Sequence, residues 1–379
     1  MEVQRSERLQ SIDLVRGLAC ILMVIDHVRV YAAVPAGGPD PAVFFTRWVT
    51  HFVAPIFCFF AGTSAFLMGR RSGDTRALSR FLLTRGLLLM VLELTVIRFF
   101  WTFNVDYANY MLAGVIWMLG WCMVCLAAVV RFSPKAVGVV GVVIVCAQQL
   151  FGLPPTMLPA IAPFWEFLYP SGADAAFGMA VLYVLVPWVG VMAAGYGFGL
   201  IVELDTAARR RWCLGIGLSA TVLFLVVGSI LAVGGSSDEN APPFLFRLLG
   251  QQKYPASPLF LLMTLGPSIA LLPWAEQAGG VFARVCVAFG RVPMFFYLLH
   301  IPVIHLTAMA VSMIRSGTVI PELVGNFPFR PPQMPDGYRW SLWLLYGVWA
   351  LVTFVVLLPA CRWYGAAKAR NPKPWMRFV

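Results

Sequence analysis

The chain has 379 residues, of which 60% are hydrophobic and 12% are charged. Its mean hydropathy of +0.80 lies far outside the range of soluble globular domains, so the composition excludes a soluble enzyme and predicts an integral membrane protein. The formal net charge of +11 is explained by topology and by attraction to anionic membrane lipids. No basic tract with interleaved aromatic residues predicts binding to nucleic acid.

A membrane-spanning helix needs about 20 predominantly apolar residues. Ten stretches meet or approach this length: 12–33, 45–69, 79–101, 110–130, 136–151, 177–202, 212–234, 257–275, 290–314 and 341–363. We therefore predict an all-α, polytopic membrane helix bundle with about ten transmembrane helices. Residues 1–379 are predicted to form a single integral membrane domain, with a motif-rich first half (1–151) and a second half (177–379). Three long outer loops are predicted to be ordered: 152–176, 235–256 and 315–340.

The distribution of Lys and Arg predicts the orientation of the bundle. These residues are concentrated in alternate short loops, such as 70–80 and 209–211, and are sparse in the loops between them. By the positive-inside rule, both termini are predicted to face the cytoplasm. Arginine greatly outnumbers lysine, and Ala, Val, Gly and Leu abound, which suggests a GC-rich bacterial genome and an inner-membrane location.

The first apolar stretch carries five ionisable residues: Asp13, Arg16, Asp26, His27 and Arg29. Each such group at a helix centre opposes membrane insertion by roughly 2.5–3.5 kcal/mol, so their presence indicates a functional site. At 100° per residue, Asp13, Arg16 and His27 share one helical face. Arg16 and His27 are separated by about 16 Å along the axis. Arg29 lies on roughly the opposite side of the helix from Arg16, and the sequence predicts no role for it.

Later stretches add further candidates. His51 shares a helical face with Arg47 in the second stretch, while His300 lies in the ninth. Arg85 and Arg291 lie near the predicted cytoplasmic edge, as Arg16 does, and the three arginines predict an anion site. Simpler interpretations remain: Asp13 and Arg16 can form a structural ion pair, and Arg85 and Arg291 can reach lipid headgroups. His305 and Arg98 are predicted to satisfy packing or interfacial hydrogen bonds.

Several segments of the sequence resemble known families. RLQSIDLVRGLACILMVIDHVRVY (8–31) and FTRWVTHFVAPIFCFFAGTSAFL (45–67) resemble the catalytic region of the heparan-α-glucosaminide N-acetyltransferase family and its bacterial relatives. GRVPMFFYLLHIPVIHL (290–306) resembles a segment shared by transmembrane acyltransferases more widely. Asp13, Arg16 and Gly17 match the opening motif of the family.

The resemblance implies an enzyme that moves acetyl from cytoplasmic acetyl-CoA to a sugar amine or hydroxyl on the far side of the membrane. The lysosomal member has its catalytic histidine in the segment after the first span. The corresponding residues here, 35–45, contain no histidine, so that role falls to His27 or His51. We predict His27, assisted by Asp26, as the catalytic base, with His51 and His300 as further candidates. Direct transfer and a route through an acylated histidine are both compatible with the sequence.

The predicted donor site consists of Asp13, Arg16, Arg85 and Arg291, because arginine offers fork geometry to the phosphates of CoA. The predicted partners are acyl-CoA, acetyl or longer, a glycan or amino-sugar acceptor and membrane lipids, and the oligomeric state is left open. Neither a metal nor a disulfide is predicted from the eight cysteines. The main alternative is a proton-coupled secondary transporter of a sugar or small anion, with intramembrane Asp, Glu and His residues as a relay. A non-catalytic membrane scaffold is the third.

Overall fold

The computed structural model describes residues 2–234 and 242–378, and these are mainly helical. The α-helices are α1 (Glu2–Tyr31), α2 (Pro41–Trp48), α3 (Val53–Ser72), α4 (Thr75–Leu92), α5 (Arg98–Thr102), α6 (Val115–Val129), α7 (Pro134–Cys146), α8 (Leu153–Met157), α9 (Ala162–Trp165), α10 (Trp188–Val202), α11 (Thr206–Gly234), α12 (Phe244–Leu249), α13 (Pro258–Ala270), α14 (Leu272–Gln277), α15 (Gly280–Gly290), α16 (Pro293–Ser316), α17 (Leu342–Ala350) and α18 (Leu358–Arg370). The 3₁₀ helices are Val49–Phe52, Gln148–Gly152, Pro159–Ile161, Ala176–Gly178, Pro321–Val324 and Pro374–Arg377. Glu93–Ile97 and Leu351–Leu357 are π-helical.

Several helices confirm an integral membrane protein. Five helical segments in the described residues are long and apolar enough to cross a membrane: Pro41–Ser72, Thr206–Gly234, Pro258–Gln277, Pro293–Ser316 and Leu342–Arg370. A sixth is present if Pro134–Cys146 and Gln148–Met157, which meet at a bend of 63°, count as one span. The all-α polytopic architecture is thus supported, whereas the total of ten spans and the side on which the termini lie remain predictions.

Two predicted spans, 110–130 and 177–202, are helical only in their later parts. Their early residues form a short parallel pair of strands, β1 (Met111–Ala113) and β2 (Met179–Val181). A short apolar run does not distinguish a buried strand from a buried helix, which is why the prediction was wrong here. The helices begin only after Gly114, which has an extended backbone, and after Pro187.

The segments that were predicted to be outer loops contain short helices. The predicted span 136–151 is helical to Cys146, where the chain bends, and 152–176 contains short helices. In the predicted loop 235–256, residues 235–241 lie outside the described residues, and Phe244–Leu249 form the helix α12.

The described residues form two compact units. The first comprises the residues up to 53, residues 99–105 and those from 272 onward; the second comprises 54–98 and 106–271. The predicted single domain, with its two halves in chain order, remains a prediction.

In the first unit, α1 packs against α14, α15, α16 and α17. The contact with α15 depends on glycine at two positions. A Cβ atom on Gly17 would overlap the backbone carbonyl of Cys286, and one on Gly290 would overlap the carbonyl of Asp13. On α1, the carbonyl of Ile21 accepts a hydrogen bond from Trp349 Nε1 (3.0 Å). These contacts fix the helix that carries half of the predicted site residues: Asp13, Arg16, Asp26 and His27.

In the second unit, α4 packs against α6, α7 against α10 and α11 against α13. Its two most buried charged side chains have structural partners. Glu93 Oε2 accepts a hydrogen bond from the backbone N–H of Ile116 (3.0 Å) in the first turn of α6. Arg98 donates from Nε to the carbonyl of Tyr110 (3.0 Å) and from Nη2 to the carbonyl of Asp106 (2.7 Å). Glu93 therefore acts as a cap for α6, and Arg98 secures the chain that leads to it.

Candidate active site

A pair of imidazoles connects α1 and α16 in the first unit. His27 Nδ1 lies 2.7 Å from His300 Nε2, and the two ring planes are inclined by 27° with their centroids 4.8 Å apart. His300 is fully buried. The ring of Trp101 packs edge-on against His27, with 4.8 Å between centroids. Two of the predicted catalytic histidines, 273 residues apart in the chain, are therefore in direct contact.

The hydrogen-bond partners of His300 assign the tautomers of both rings. His300 Nδ1 lies 2.6 Å from the carbonyl oxygen of Tyr297. Because a carbonyl oxygen only accepts, Nδ1 of His300 carries the proton, and its Nε2 is the acceptor in the neutral ring. The proton shared with His27 then belongs to His27 Nδ1. This places the lone pair of His27 on Nε2, which is the atom that can act as a base.

Asp26 is held between two arginines. Its Oδ1 accepts from Arg29 (Nε at 3.1 Å and Nη2 at 3.0 Å), and its Oδ2 accepts from Arg47 Nη1 (2.7 Å). The three side chains are only 9–16% exposed. Asp26 therefore connects α1 to α2 through Arg47. The predicted assistance of Asp26 to His27 remains a prediction, while His300 is the partner observed at His27 Nδ1.

Arg16 lies on the same face of α1 as His27, towards the other end of the helix. Asp13 and the thiol of Cys20 are close enough to interact electrostatically with it. Since Gly290 packs on the carbonyl of Asp13, the next residue, the exposed Arg291, comes to the same end of α1. Three of the four predicted donor-site residues are thus in the first unit.

Arg85, the fourth, belongs to the second unit. There its guanidinium lies over the ring of Phe81, with 5.8 Å between Cζ and the ring centroid. Its predicted part in donor binding remains a prediction.

The other two histidines occupy different surroundings. His51 lies in the 3₁₀ helix Val49–Phe52 and is partly buried. His305 is fully buried, with Nδ1 3.0 Å from the carbonyl of Phe100 and Nε2 2.9 Å from the carbonyl of Leu323. The ring of Phe103 stacks on it at a centroid distance of 3.9 Å. These contacts fit the packing role predicted for His305.

Sequence reasoning missed a cavity of about 590 Å³ at the His27 end of α1. Arg29 and Val30 from α1 line one side, and residues 327–339 line the other. Two signals pointed to it without identifying it: an intramembrane arginine with no assigned role, and the proline-rich sequence NFPFRPPQMPDG at 326–337.

The apolar helices define an integral membrane protein, and its first unit contains two imidazoles in contact, one of which is fully buried. The model of the family described as heparan-alpha-glucosaminide N-acetyltransferase, catalytic, matches residues 8–239, which is more than half of the chain. The chain belongs to this family, as the resemblance implied, and membership supports a transmembrane acetyltransferase in general. A comparison with individual curated proteins gives no match. His27 lies within the matched residues, whereas His300 and the 327–339 wall of the cavity lie beyond them.

Proposed function

We propose that this protein transfers acetyl from cytoplasmic acetyl-CoA to an amine or hydroxyl of a sugar acceptor on the outer side of the membrane. His27 is the general base, and His300 positions it. The observation that carries this proposal is the 2.7 Å contact between His27 Nδ1 and His300 Nε2, with His300 Nδ1 donating to the carbonyl of Tyr297. Family membership supplies the reaction class.

The chemistry follows from the tautomer of His27. Nε2 accepts the proton of the acceptor N–H or O–H as that atom attacks the thioester carbonyl. The new C–N or C–O bond forms and the C–S bond of the thioester breaks. His27 returns the proton to the CoA thiolate, which leaves as the thiol. While His27 is positively charged, its Nδ1–H becomes a charge-assisted donor to His300, so the hydrogen bond is strongest as the acceptor proton is transferred. The route through an acylated histidine uses the same atom as the nucleophile.

The donor is proposed to lie along α1 with its phosphates at the Arg16 end. Arginine forks suit phosphate oxygens, and the approximately 16 Å of helix between Arg16 and His27 leaves room for an extended pantetheine arm. Arg291, exposed at the same end, adds a second cation. The ten spans, the cytoplasmic termini and the bacterial inner membrane belong to this proposal. They rest on the distribution of Lys and Arg, and on composition.

The surroundings of two carboxyl groups make a transporter the weaker alternative. A proton relay requires carboxyls that exchange protons during the cycle. Asp26 forms ion pairs with two guanidinium groups, and loss of its charge would weaken both contacts. Glu93 caps α6 through the N–H of Ile116. Asp26 therefore has a structural role that a protonation cycle would interrupt.

The test is acetyl transfer by the purified full chain in lipid nanodiscs. Labelled acetyl-CoA is supplied with a panel of amino sugars and glycans, and both free CoA and acetylated product are measured. We expect His27→Gln to reduce the rate by about 10²–10⁴-fold, the usual contribution of a general base. His51→Gln is the matched control, because it removes the other partly buried histidine of the first unit, and it is expected to retain most of the activity. Wild-type protein that produces no acetylated acceptor, or equal losses in the two variants, would contradict the proposal.

A further inference from the structure

The cavity at the His27 end of α1 has the size of a small-molecule site. Its volume of about 590 Å³ lies within the range typical of ligand pockets. Val30, which lines it, follows His27 by three residues and so shares its helical face, about 4.5 Å further along the axis. The cavity therefore begins within one helical turn of the imidazole pair.

Arg29 lines this cavity and has hydrogen-bond donors that no described residue accepts. The residue is only 8% exposed, yet it forms part of the cavity lining. Of the five N–H groups of a guanidinium, those on Nε and one on Nη2 bond to Asp26, and one on Nη1 bonds to the carbonyl of Val34 at 2.8 Å. Among the described residues, the remaining N–H on each terminal nitrogen has no acceptor. A buried charged group with two unused donors indicates a ligand that accepts both.

The charge of the lining also favours an anion. Arg29, which lines the cavity, and Arg47 both contact the carboxylate of Asp26. Arg339 adds an exposed cation to the lining, opposed by the exposed carboxylate of Asp336. The lining as a whole is thus cationic.

The opposite wall is rigid. Pro328, Pro331, Pro332 and Pro335 line the cavity, and proline has little conformational freedom to lose when a ligand binds. Arg315 holds the end of this segment by donating from Nη1 to the carbonyl of Tyr338 (2.7 Å) and from Nη2 to the carbonyl of Gly337 (3.1 Å). A preformed wall reduces the entropic cost of binding.

We propose that this cavity binds the sugar acceptor and that Arg29 and Arg339 hold an oxyanionic group on it, either a carboxylate or a phosphate. The acceptor class rests on the proposed function, whereas the preference for an anion rests on the cavity alone. A planar or tetrahedral oxyanion accepts both unused N–H groups of Arg29 in bidentate geometry. A neutral sugar leaves the two donors without a charged partner.

The test measures binding without acetyl-CoA, by isothermal titration of the purified full chain in nanodiscs. Galacturonate is compared with galactose, and glucosamine 6-phosphate with glucosamine, so that each pair differs in its acidic group. We expect the acidic member of at least one pair to bind about tenfold or more tightly, as for hydrogen bonds between charged groups. The pair that shows the preference tells carboxylate from phosphate.

Three variants test which arginines produce the preference for the acidic sugar. Arg339→Gln removes the exposed lining cation, and Arg29→Lys keeps a charge beside Asp26 but loses the fork; both are expected to weaken binding of the acidic sugar and leave the neutral one unchanged. Arg330→Gln is the matched control, because Arg330 is an exposed arginine of the same segment that is not part of the cavity lining. Equal affinity for charged and neutral sugars, or an equal loss in Arg330→Gln and Arg339→Gln, would overturn the proposal.

Failure here is distinguishable from failure of the proposed function. Charge-selective binding by a wild-type protein that transfers no acetyl to any acceptor would contradict the transferase reaction while supporting the anion preference of the cavity. Acetyl transfer with no preference for acidic sugars would overturn the cavity proposal and leave the reaction intact.

Discussion

His300 is expected to control the rate through the tautomer of His27 without touching the acceptor. Two substitutions separate this role from packing. His300→Leu fills the buried site on α16 with an apolar side chain but removes the acceptor 2.7 Å from His27 Nδ1. His300→Gln also removes the ring, yet it keeps an oxygen that can accept the same hydrogen bond.

The structure sets the size of the expected effect. In His300→Leu, a donor in a part-buried contact loses its partner, which costs about 1–3 kcal/mol. The cost is felt most when His27 is protonated, because the charged ring donates more strongly. Since 1.36 kcal/mol corresponds to a factor of ten, kcat should fall by about 5- to 150-fold, less than the loss expected for His27→Gln. His300→Gln should recover part of this loss.

The assay is steady-state acetyl transfer at saturating acetyl-CoA with the acceptor concentration varied, measured across the range from about pH 5 to 8. We expect a lower kcat with an unchanged KM, because the contact acts on the transition state more than on binding. Nitrogen-15 NMR of labelled histidine should show the Nδ1–H tautomer of His27 in the wild type and a mixture in His300→Leu. Wild-type kcat in His300→Leu, or an equal loss in the Leu and Gln variants, would refute this reasoning.

Two further predictions concern stability, measured by unfolding of the purified protein in detergent. Asp26→Asn should destabilise the protein by about 3–5 kcal/mol, because it removes the negative charge that two buried guanidinium groups contact. The control is Glu203→Gln, which breaks the exposed ion pair with Arg70 and should cost at most about 1 kcal/mol. Equal losses in the two variants would contradict the structural role of Asp26. Tyr338→Phe removes a buried hydrogen bond to the carbonyl of Tyr31 (2.7 Å) and should cost about 1 kcal/mol. Burial raises the pKa of Tyr338 from 10.0 to about 12, so its contribution is present in full below pH 10 and is lost as the pH rises towards 12. The Phe variant should therefore lose less stability than the wild type over that interval, and identical alkaline profiles would contradict this role for Tyr338.

Long apolar runs made most of the helices predictable. The predicted spans 45–69, 212–234 and 290–314 correspond to helical segments Pro41–Ser72, Thr206–Gly234 and Pro293–Ser316. The discrepancies occur where a run is short or interrupted by glycine or proline. The residues before Gly114 and Pro187 are apolar enough for a helix, but tertiary pairing places them in strands.

The candidate site was predictable residue by residue but not as a set of contacts. Helical periodicity placed Arg16 and His27 on one face of α1, because that relation is local. The contact of His27 with His300 depends on how α1 and α16 pack, and no spacing in the sequence encodes it. The same limit explains why the contact of Asp26 with Arg47, which lies on another helix, was not predicted.

These partners suggest why a membrane enzyme would use an imidazole to position its base. A carboxylate beside His27 would favour a resting imidazolium–carboxylate pair, and an ion pair within a bilayer carries a large desolvation cost. An imidazolium also has no lone pair with which to accept a proton. His300 orients the ring at no formal charge, while the carboxylate of Asp26 is used by two arginines. The structure thus places a ring nitrogen, and not a carboxylate oxygen, at Nδ1 of His27, which leaves Nε2 as the basic atom in the proposed reaction.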